Sequence, residues 1–167
     1  MNFNTLLSRS PAVVCGALRP IAVAGLLGFI ALGAVAGPKS VPFKATLAIT
    51  ESVNFVFAPP CFAIGTLTAS GQASHLGRVT GSSQDCINPT GVFDPNGPNS
   101  FRFTSGVSGN GVVLTSANGD SLYLAYSGTL TAQPTGPHEI EGDFIVVGGT
   151  GRFEGAAGGG TVTGTED

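Results

Sequence analysis

Apolar and polar residues alternate with a period of two along most of this chain. The first such segment places Phe43, Leu47 and Ile49 on one face and Lys44 and Thr46 on the other. No segment after residue 36 shows the spacing of three to four residues that is typical of an amphipathic helix. The composition also argues against long helices, because 26 glycines and only 10% charged residues exclude a coiled coil. The low content of charged residues excludes a highly charged disordered protein. The sequence therefore predicts an all-β fold.

Residues 37–167 divide into eight predicted strands separated by turn residues. The strands cover residues 43–50, 65–69, 73–81, 101–103, 112–117, 120–130, 139–147 and 160–165. Residues 85–99 contain three prolines and are predicted to form a long surface loop, because proline cannot donate a hydrogen bond to a sheet. Asn118 and Gly119 predict a hairpin with a type I′ turn. Eight short-linked antiparallel strands predict a single closed barrel, since closure removes the exposed edges of an open sheet.

The first 36 residues have the three parts of a secretory signal peptide. Arg9 and Arg19 precede an uncharged run over residues 21–36, which ends in the small residues Ala34 and Ala36. This run of 16 residues is shorter than the roughly 20 that a helix needs to cross a bilayer, although an uncleaved membrane anchor stays open as an alternative. We predict a signal peptide over residues 1–36, a barrel domain over residues 37–167, and a secreted or periplasmic protein without a membrane anchor.

The charge of the chain after cleavage limits the classes of molecule that it can bind. Cleavage would leave five basic residues scattered singly against ten acidic residues, whereas a nucleic-acid partner requires a basic stripe. We therefore predict no nucleic-acid partner.

Cys61 and Cys86 are the two cysteines that would remain after cleavage, and we predict a disulfide between them, because thiols pair in an oxidising compartment. Closure of this loop is expected to stabilise the fold by roughly 3 kcal/mol. A redox pair or a metal site is less favoured, since there is no Cys-x-x-Cys motif and the two histidines lack ligand spacing.

Two short segments match enzyme motifs. Residues 119–122 read Gly-Asp-Ser-Leu, a hydrolase nucleophile motif, but neither His75 nor His138 has the preceding Asp that such a site uses. We interpret this segment as part of the hairpin. Residues 144–151 read like the strand and glycine loop of a nucleotide-binding unit, but only 16 residues follow, and their three consecutive glycines disfavour the required helix. No cofactor and no metal are predicted.

Three acidic side chains near the C-terminus are predicted to face water. Glu139, Glu141 and Asp143 share one face of a strand whose other face is apolar. An acid and base pair or a calcium site is the alternative for these carboxylates, and a calcium site for the loop acids Asp85 and Asp94. A calcium loop that begins at Asp94 lacks the glycine at its sixth position. With charged residues outside and apolar residues inside, a retained ligand is expected to be uncharged.

Residues 146–158 (VVGGTGRFEGAAG) resemble the C-terminal signature of the allene oxide cyclase and dirigent barrels, of calycin-like type, in which a strand ends in a Gly-Gly-x-Gly-x-Phe turn. Residues 75–78 and 118–120 are similar to segments of small secreted bacterial proteins of this barrel type. The resemblance implies an eight-stranded barrel with an apolar cavity, no cofactor, and a homodimer or homotrimer. The structural turn that it implies consists of Gly148, Gly149, Gly151, Phe153 and Gly155, with Phe153 inserted into the core.

Two functions from different classes stay open. We favour a non-enzymatic secreted or periplasmic barrel that binds a small apolar molecule in its lumen. The alternative is a cofactor-free isomerase, cyclase or dirigent-like protein whose cavity orients a reactive intermediate, which requires at least two polar groups that converge in the lumen. The polar side chains predicted to contact a ligand are those of His75, Arg78, Arg102, Tyr123 and Tyr126.

Overall fold

The computed structural model describes residues 2–7, 13–15, 40–106 and 111–166. These ranges form β-strands, turns and one 3₁₀ turn but no α-helix, so the prediction of an all-β antiparallel fold is confirmed. The described part of the chain includes no helix with the length and apolar character needed to cross a membrane. The uncharged run at residues 21–36 and the predicted cleavage site at Ala36 lie outside the described ranges.

Eleven strands are present in the described ranges. They are β1 (Asn2–Leu7), β2 (Val13–Cys15), β3 (Ser40–Val41), β4 (Ala45–Ala58), β5 (Cys61–Ala73), β6 (Gly77–Pro89), β7 (Asn99–Ser105), β8 (Val112–Ser116), β9 (Ser121–Ala132), β10 (His138–Gly149) and β11 (Ala156–Glu166). A 3₁₀ turn over Gly151–Phe153 lies between β10 and β11.

Most of these strands form an antiparallel sheet with eight positions. β4, β5 and β6 pair in succession, and so do β9, β10 and β11. Between the two groups, β7 and β8 share one position, because both pair with β6 on one side and with β9 on the other. β1 fills the remaining position, where it pairs with both β4 and β11.

Two details of the predicted strand arrangement are corrected. Residues 101–103 and 112–117, predicted as two separate strands of the barrel, lie in one sheet position, and Gly106 follows the first of them with a φ of +95°. The eighth position is instead supplied by Asn2–Leu7, which the sequence assigned to the signal peptide. Periodicity identifies residues that suit a strand, but it carries no information about which neighbours that strand pairs with.

β6 is longer than predicted. It continues through Asp85 and Cys86 to Pro89, which pairs with Phe101 of β7, so the prediction that a surface loop begins at Asp85 is wrong. Proline is tolerated here because it ends the strand rather than interrupting it. The connection between β6 and β7 covers residues 90–98.

Alternate residues of the long strands point into a common core. Val79, Leu114 and Leu122 are at most 1% exposed. On β10 the acids Glu139, Glu141 and Asp143, named here the β10 acids, are exposed, while Ile140 and Phe144 between them are buried. The predicted division of this strand into an apolar inner face and an acidic outer face is confirmed.

The glycine turn after β10 places an aromatic ring in the core. Phe153 is 7% exposed and packs within the core cluster, as predicted. A Cβ at Gly149 would lie 2.6 Å from the Cβ of Phe153, and Gly151 has a φ of +56°. Both positions therefore favour glycine, because of close approach at Gly149 and left-handed backbone at Gly151.

The predicted hairpin between β8 and β9 is present, but its turn differs. The amide of Ser116 donates to the carbonyl of Asp120 at 2.9 Å, and of the turn residues between them only Gly119 has positive φ. A type I′ turn needs positive φ at two residues, so the predicted turn type is wrong. The Ser121 hydroxyl lies 3.1 Å from the Thr115 hydroxyl across the two strands, which supports the hairpin interpretation of the Gly-Asp-Ser-Leu segment.

The predicted disulfide between Cys61 and Cys86 is confirmed. It joins the first residue of β5 to the C-terminal part of β6, with Cα atoms 5.2 Å apart. Cys61 is buried and Cys86 is half-buried, so the bond is largely shielded from solvent.

Candidate functional site

A cavity of about 110 Å³ lies between the inward faces of the strands. Every long strand from β4 to β11 contributes to its wall. Most of this wall is aliphatic or aromatic, and it includes Leu47, Leu114, Leu124, Ile140, Phe144 and Val162. An apolar cavity of about 150 Å³ holds one benzene molecule, so this cavity suits a compound of at most about six non-hydrogen atoms.

Three carboxyl groups interrupt the apolar wall. Glu51 comes from β4, Asp85 from β6 and Glu166 from β11, and we name them the cavity acids. Each lies in phase with the inward apolar residues of its strand, as Glu51 does with Leu47 and Ile49. The period of two therefore directs these carboxyl groups inward, where they meet little water.

Asp85 is held by two hydroxyl donors. Tyr126 Oη donates to Asp85 Oδ2 at 2.5 Å, and Ser83 Oγ donates to Asp85 Oδ1 at 2.9 Å. Burial raises the pKa of Asp85 above its usual value, although both hydrogen bonds act in the opposite direction. Burial and the neighbouring Asp85 also raise the pKa of the Tyr126 phenol, so Tyr126 stays protonated and acts as a donor.

Glu51 reaches the same region across a glycine. Gly65 of β5 pairs with Asp85, and a Cβ at Gly65 would overlap Oε1 of Glu51. The missing side chain therefore leaves the space that the Glu51 carboxyl group fills. Burial raises the pKa of Glu51 to about 7, with further contributions from Asp85 and Glu166. At neutral pH this group is close to half ionised, which suits either proton transfer or a change of charge when a ligand binds.

Glu166 is the most isolated of the cavity acids. Its side chain is only 4% exposed, and Oε2 has no hydrogen-bond partner among the described residues. Burial raises its pKa, and the nearby His138 partly offsets this. Glu166 therefore presents a buried oxygen atom that can accept a hydrogen bond from a bound molecule.

Of the five residues predicted to contact a ligand, Tyr126 lines the cavity. Tyr123 alternates with the buried Leu122 and Leu124, which places it on the outer face of β9. Arg78 and Arg102 are exposed on β6 and β7. These three side chains and His75 are not among the groups that line the cavity.

His75 was predicted within a strand, but it lies in the turn between β5 and β6 with a φ of +66°. Its Nε2 is 2.9 Å from the carbonyl oxygen of Pro42. This contact connects the turn to the segment before β4, so the position of His75 is that of a structural residue.

Two features of the sequence conceal the cavity acids. The prolines after Asp85 predict a loop at that residue, and Glu51 and Glu166 are charged residues at inward positions that apolar residues usually occupy. The signal that identifies Glu51 is its phase, since it continues the inward series of Leu47 and Ile49. No group of three or more His, Cys, Asp or Glu residues in the described ranges, the cavity acids included, is arranged to hold a metal ion.

Comparison with known proteins adds no relative. No protein-family model, curated protein or solved structure matches this chain.

Proposed function

We propose that this chain is a small secreted or periplasmic eight-stranded β-barrel, of the allene oxide cyclase and dirigent type, that binds a small and mostly apolar molecule in its lumen. The order of pairing supports the barrel, because the eight strands β4 to β11 fill seven consecutive sheet positions and Asn2–Leu7 pairs with the strands at both edges, β4 and β11. Cleavage after Ala36 would remove Asn2–Leu7, so the processed protein would close the barrel between β4 and β11. Export is supported by the uncharged run at residues 21–36 and by the Cys61–Cys86 disulfide. A homo-oligomer belongs to the same proposal and follows from the resemblance alone.

One observation carries the binding function: an apolar cavity contains a small number of converging polar groups. Binding sites for small molecules have this composition, in which the walls supply affinity and the polar groups fix orientation. Tyr126, Asp85 and Glu51 come from three different strands, so only the folded sheet brings them together.

The test expresses the full chain with its export signal and purifies the processed protein from the periplasm or medium. Native mass spectrometry is expected to detect a retained small molecule, and xenon or cyclopentane added to emptied protein is expected to shift the NMR signals of Tyr126 and Phe103. Ala69→Leu fills the cavity and should abolish both effects, whereas Ala125→Leu, which does not line the cavity, should preserve them. Protein that retains nothing and binds neither probe would contradict the proposal.

A second candidate is a cofactor-free isomerase or cyclase, and the geometry around Glu51 favours it. A carboxyl group with a pKa of about 7 is suited to remove a proton from carbon near neutral pH. The Tyr126 hydroxyl, which donates to Asp85 in the free protein, can turn to donate to the oxygen atom of an adjacent carbonyl group. In this step Glu51 removes the Cα proton, the electron pair of the Cα–H bond forms the enolate double bond, and the negative charge on the oxygen atom is stabilised by a hydrogen bond from Tyr126, which keeps its proton.

Exchange of the α-hydrogens of cyclopentanone in D₂O tests this second function without knowledge of the natural substrate. We expect NMR to show exchange with the unmodified protein and a loss of at least tenfold with Glu51→Gln, equivalent to about 1.4 kcal/mol or more in the barrier. Glu141→Gln on the outer face is the matched control and should exchange normally. Binding of cyclopentanone without protein-dependent exchange would leave binding as the function.

A further inference from the structure

The titratable groups of the described residues that line the cavity are all acids, so the wall can become negatively charged but not positively charged. Its titratable groups are the three cavity acids and the phenol of Tyr126, and the described wall includes no lysine, arginine or histidine. Burial raises the pKa of each cavity acid, because an ionised carboxylate there lies away from water, and repulsion from Asp85 and Glu166 raises that of Glu51 further. A bound cation would remove part of this penalty.

Glu166 provides an independent observation. Its side chain is 96% removed from solvent, it lines the cavity, and Oε2 has no hydrogen-bond partner in the described part of the chain. A buried acceptor without a donor is destabilising unless a ligand or water completes it. This oxygen atom therefore points to a ligand with a hydrogen-bond donor.

Asp85 can take part in the same contact. Its two oxygen atoms each accept one hydroxyl group from the protein, from Tyr126 and from Ser83. A carboxylate has about four acceptor positions in all, so Asp85 retains capacity for a ligand.

We propose that the cavity binds a small primary amine as its ammonium ion, with a hydrocarbon part of about five carbons in keeping with the cavity volume. This inference rests on the proposed binding function and names its ligand class. An ammonium group has three N–H donors, one of which can donate to the unpaired Oε2 of Glu166. Its positive charge is complementary to the carboxyl groups in the cavity wall. The hydrocarbon part packs against Leu124, Ile140 and Phe144. The occupant thus differs from the uncharged ligand expected from the sequence.

Binding of an ammonium ion should depend on pH through the cavity acids. Glu51 faces Asp85 from β6, Tyr126 from β9 and Glu166 from β11, and His138 of β10 lies near Glu166. Because the pKa of Glu51 is about 7, an ammonium ion that binds the carboxylate form must release a proton from Glu51 at lower pH. Affinity should therefore fall by up to about tenfold for each pH unit below 7.

Calorimetry with three probes of one shape tests the proposal: cyclopentylammonium, cyclopentanol and methylcyclopentane, each titrated into the purified full chain at pH 7.5 and 5.5. The amine is expected to bind at least tenfold more tightly than either neutral probe at pH 7.5, and to lose at least tenfold at pH 5.5. Equal or tighter binding of a neutral probe would overturn the ammonium proposal and leave the binding function standing. No binding of any probe, with xenon also excluded, would overturn the binding function itself.

Variants locate the contact. Glu51→Gln and Glu166→Gln are expected to weaken the amine at least fivefold without changing the affinity for methylcyclopentane, and Glu141→Gln should change neither. Unchanged amine affinity in both cavity variants would contradict the assignment. If one variant does not fold, as judged by circular dichroism, the other variant and the pH dependence of the unmodified protein still decide the matter.

Discussion

Two sets of three acidic residues lie on opposite faces of the same sheet. The β10 acids are exposed, with apolar residues between them that point inward, whereas the cavity acids take the inward positions themselves. The residue types are the same in both sets, yet burial raises the pKa of every cavity acid. The position of a carboxyl group in the period of its strand therefore decides whether it faces solvent or the cavity.

The largest expected effect concerns the packing of the inward face. Phe153→Ala should lower the free energy of unfolding by about 3 to 5 kcal/mol, because the buried ring packs within the core cluster and its removal would leave a cavity there. Ile145→Ala, at a side chain that is 56% exposed, should cost less than about 1 kcal/mol. Urea unfolding measures both. Similar midpoints for the two variants would show that Phe153 is peripheral to the core.

The second effect is the dependence of stability on pH. The pKa of Glu51 rises from 4.5 to about 7 on folding, so the folded protein holds a proton that the unfolded chain has released. The stabilisation from this proton is complete below pH 4.5 and is lost as pH rises through 7. We expect the free energy of unfolding to fall across this range by at most about 3 kcal/mol on account of Glu51.

Unfolding curves between pH 4.5 and 8 check this prediction. Glu51→Gln cannot titrate and should flatten the profile, whereas Glu141→Gln on the outer face should leave it unchanged. A profile for Glu51→Gln that still falls as steeply as that of the unmodified protein would assign the effect to Asp85 or Glu166 instead.

The faces of individual strands could be predicted from the sequence, whereas the pairing of the strands could not. The alternation of Ile140 and Phe144 with the β10 acids predicts both faces of that strand, and the close approach of Gly149 and Phe153 follows from local chain geometry. Sheet neighbours depend on contacts between distant segments, so the shared position of β7 and β8 could not be predicted from periodicity. Convergence of the cavity acids depends on the same contacts, because each acid comes from a different strand.

A smaller effect is expected from the hydrogen bond between Tyr126 and Asp85. Tyr126→Phe removes the 2.5 Å bond and leaves a buried carboxyl oxygen without its donor, which should cost about 1 to 3 kcal/mol. It should also raise the pKa of Asp85 further, because this hydrogen bond lowers it in the unmodified protein. Tyr123→Phe, on the outer face of the same strand, is the control and should change stability by less than about 0.5 kcal/mol. NMR titration of the Asp85 carboxyl carbon and thermal unfolding separate the two consequences.

The smallest effects are expected for the charges on the outer face. Arg102 and Glu141 are both exposed and line one open groove on that face, on β7 and β10. Exposed charges interact through water and lose side-chain freedom when they pair, so Arg102→Ala and Glu141→Ala should each change the free energy of unfolding by less than about 0.5 kcal/mol. Neither variant should alter xenon or amine binding, because neither side chain reaches the cavity wall. A loss of binding in Arg102→Ala at unchanged stability would move the ligand site to the outer groove and assign the cavity acids a purely structural position.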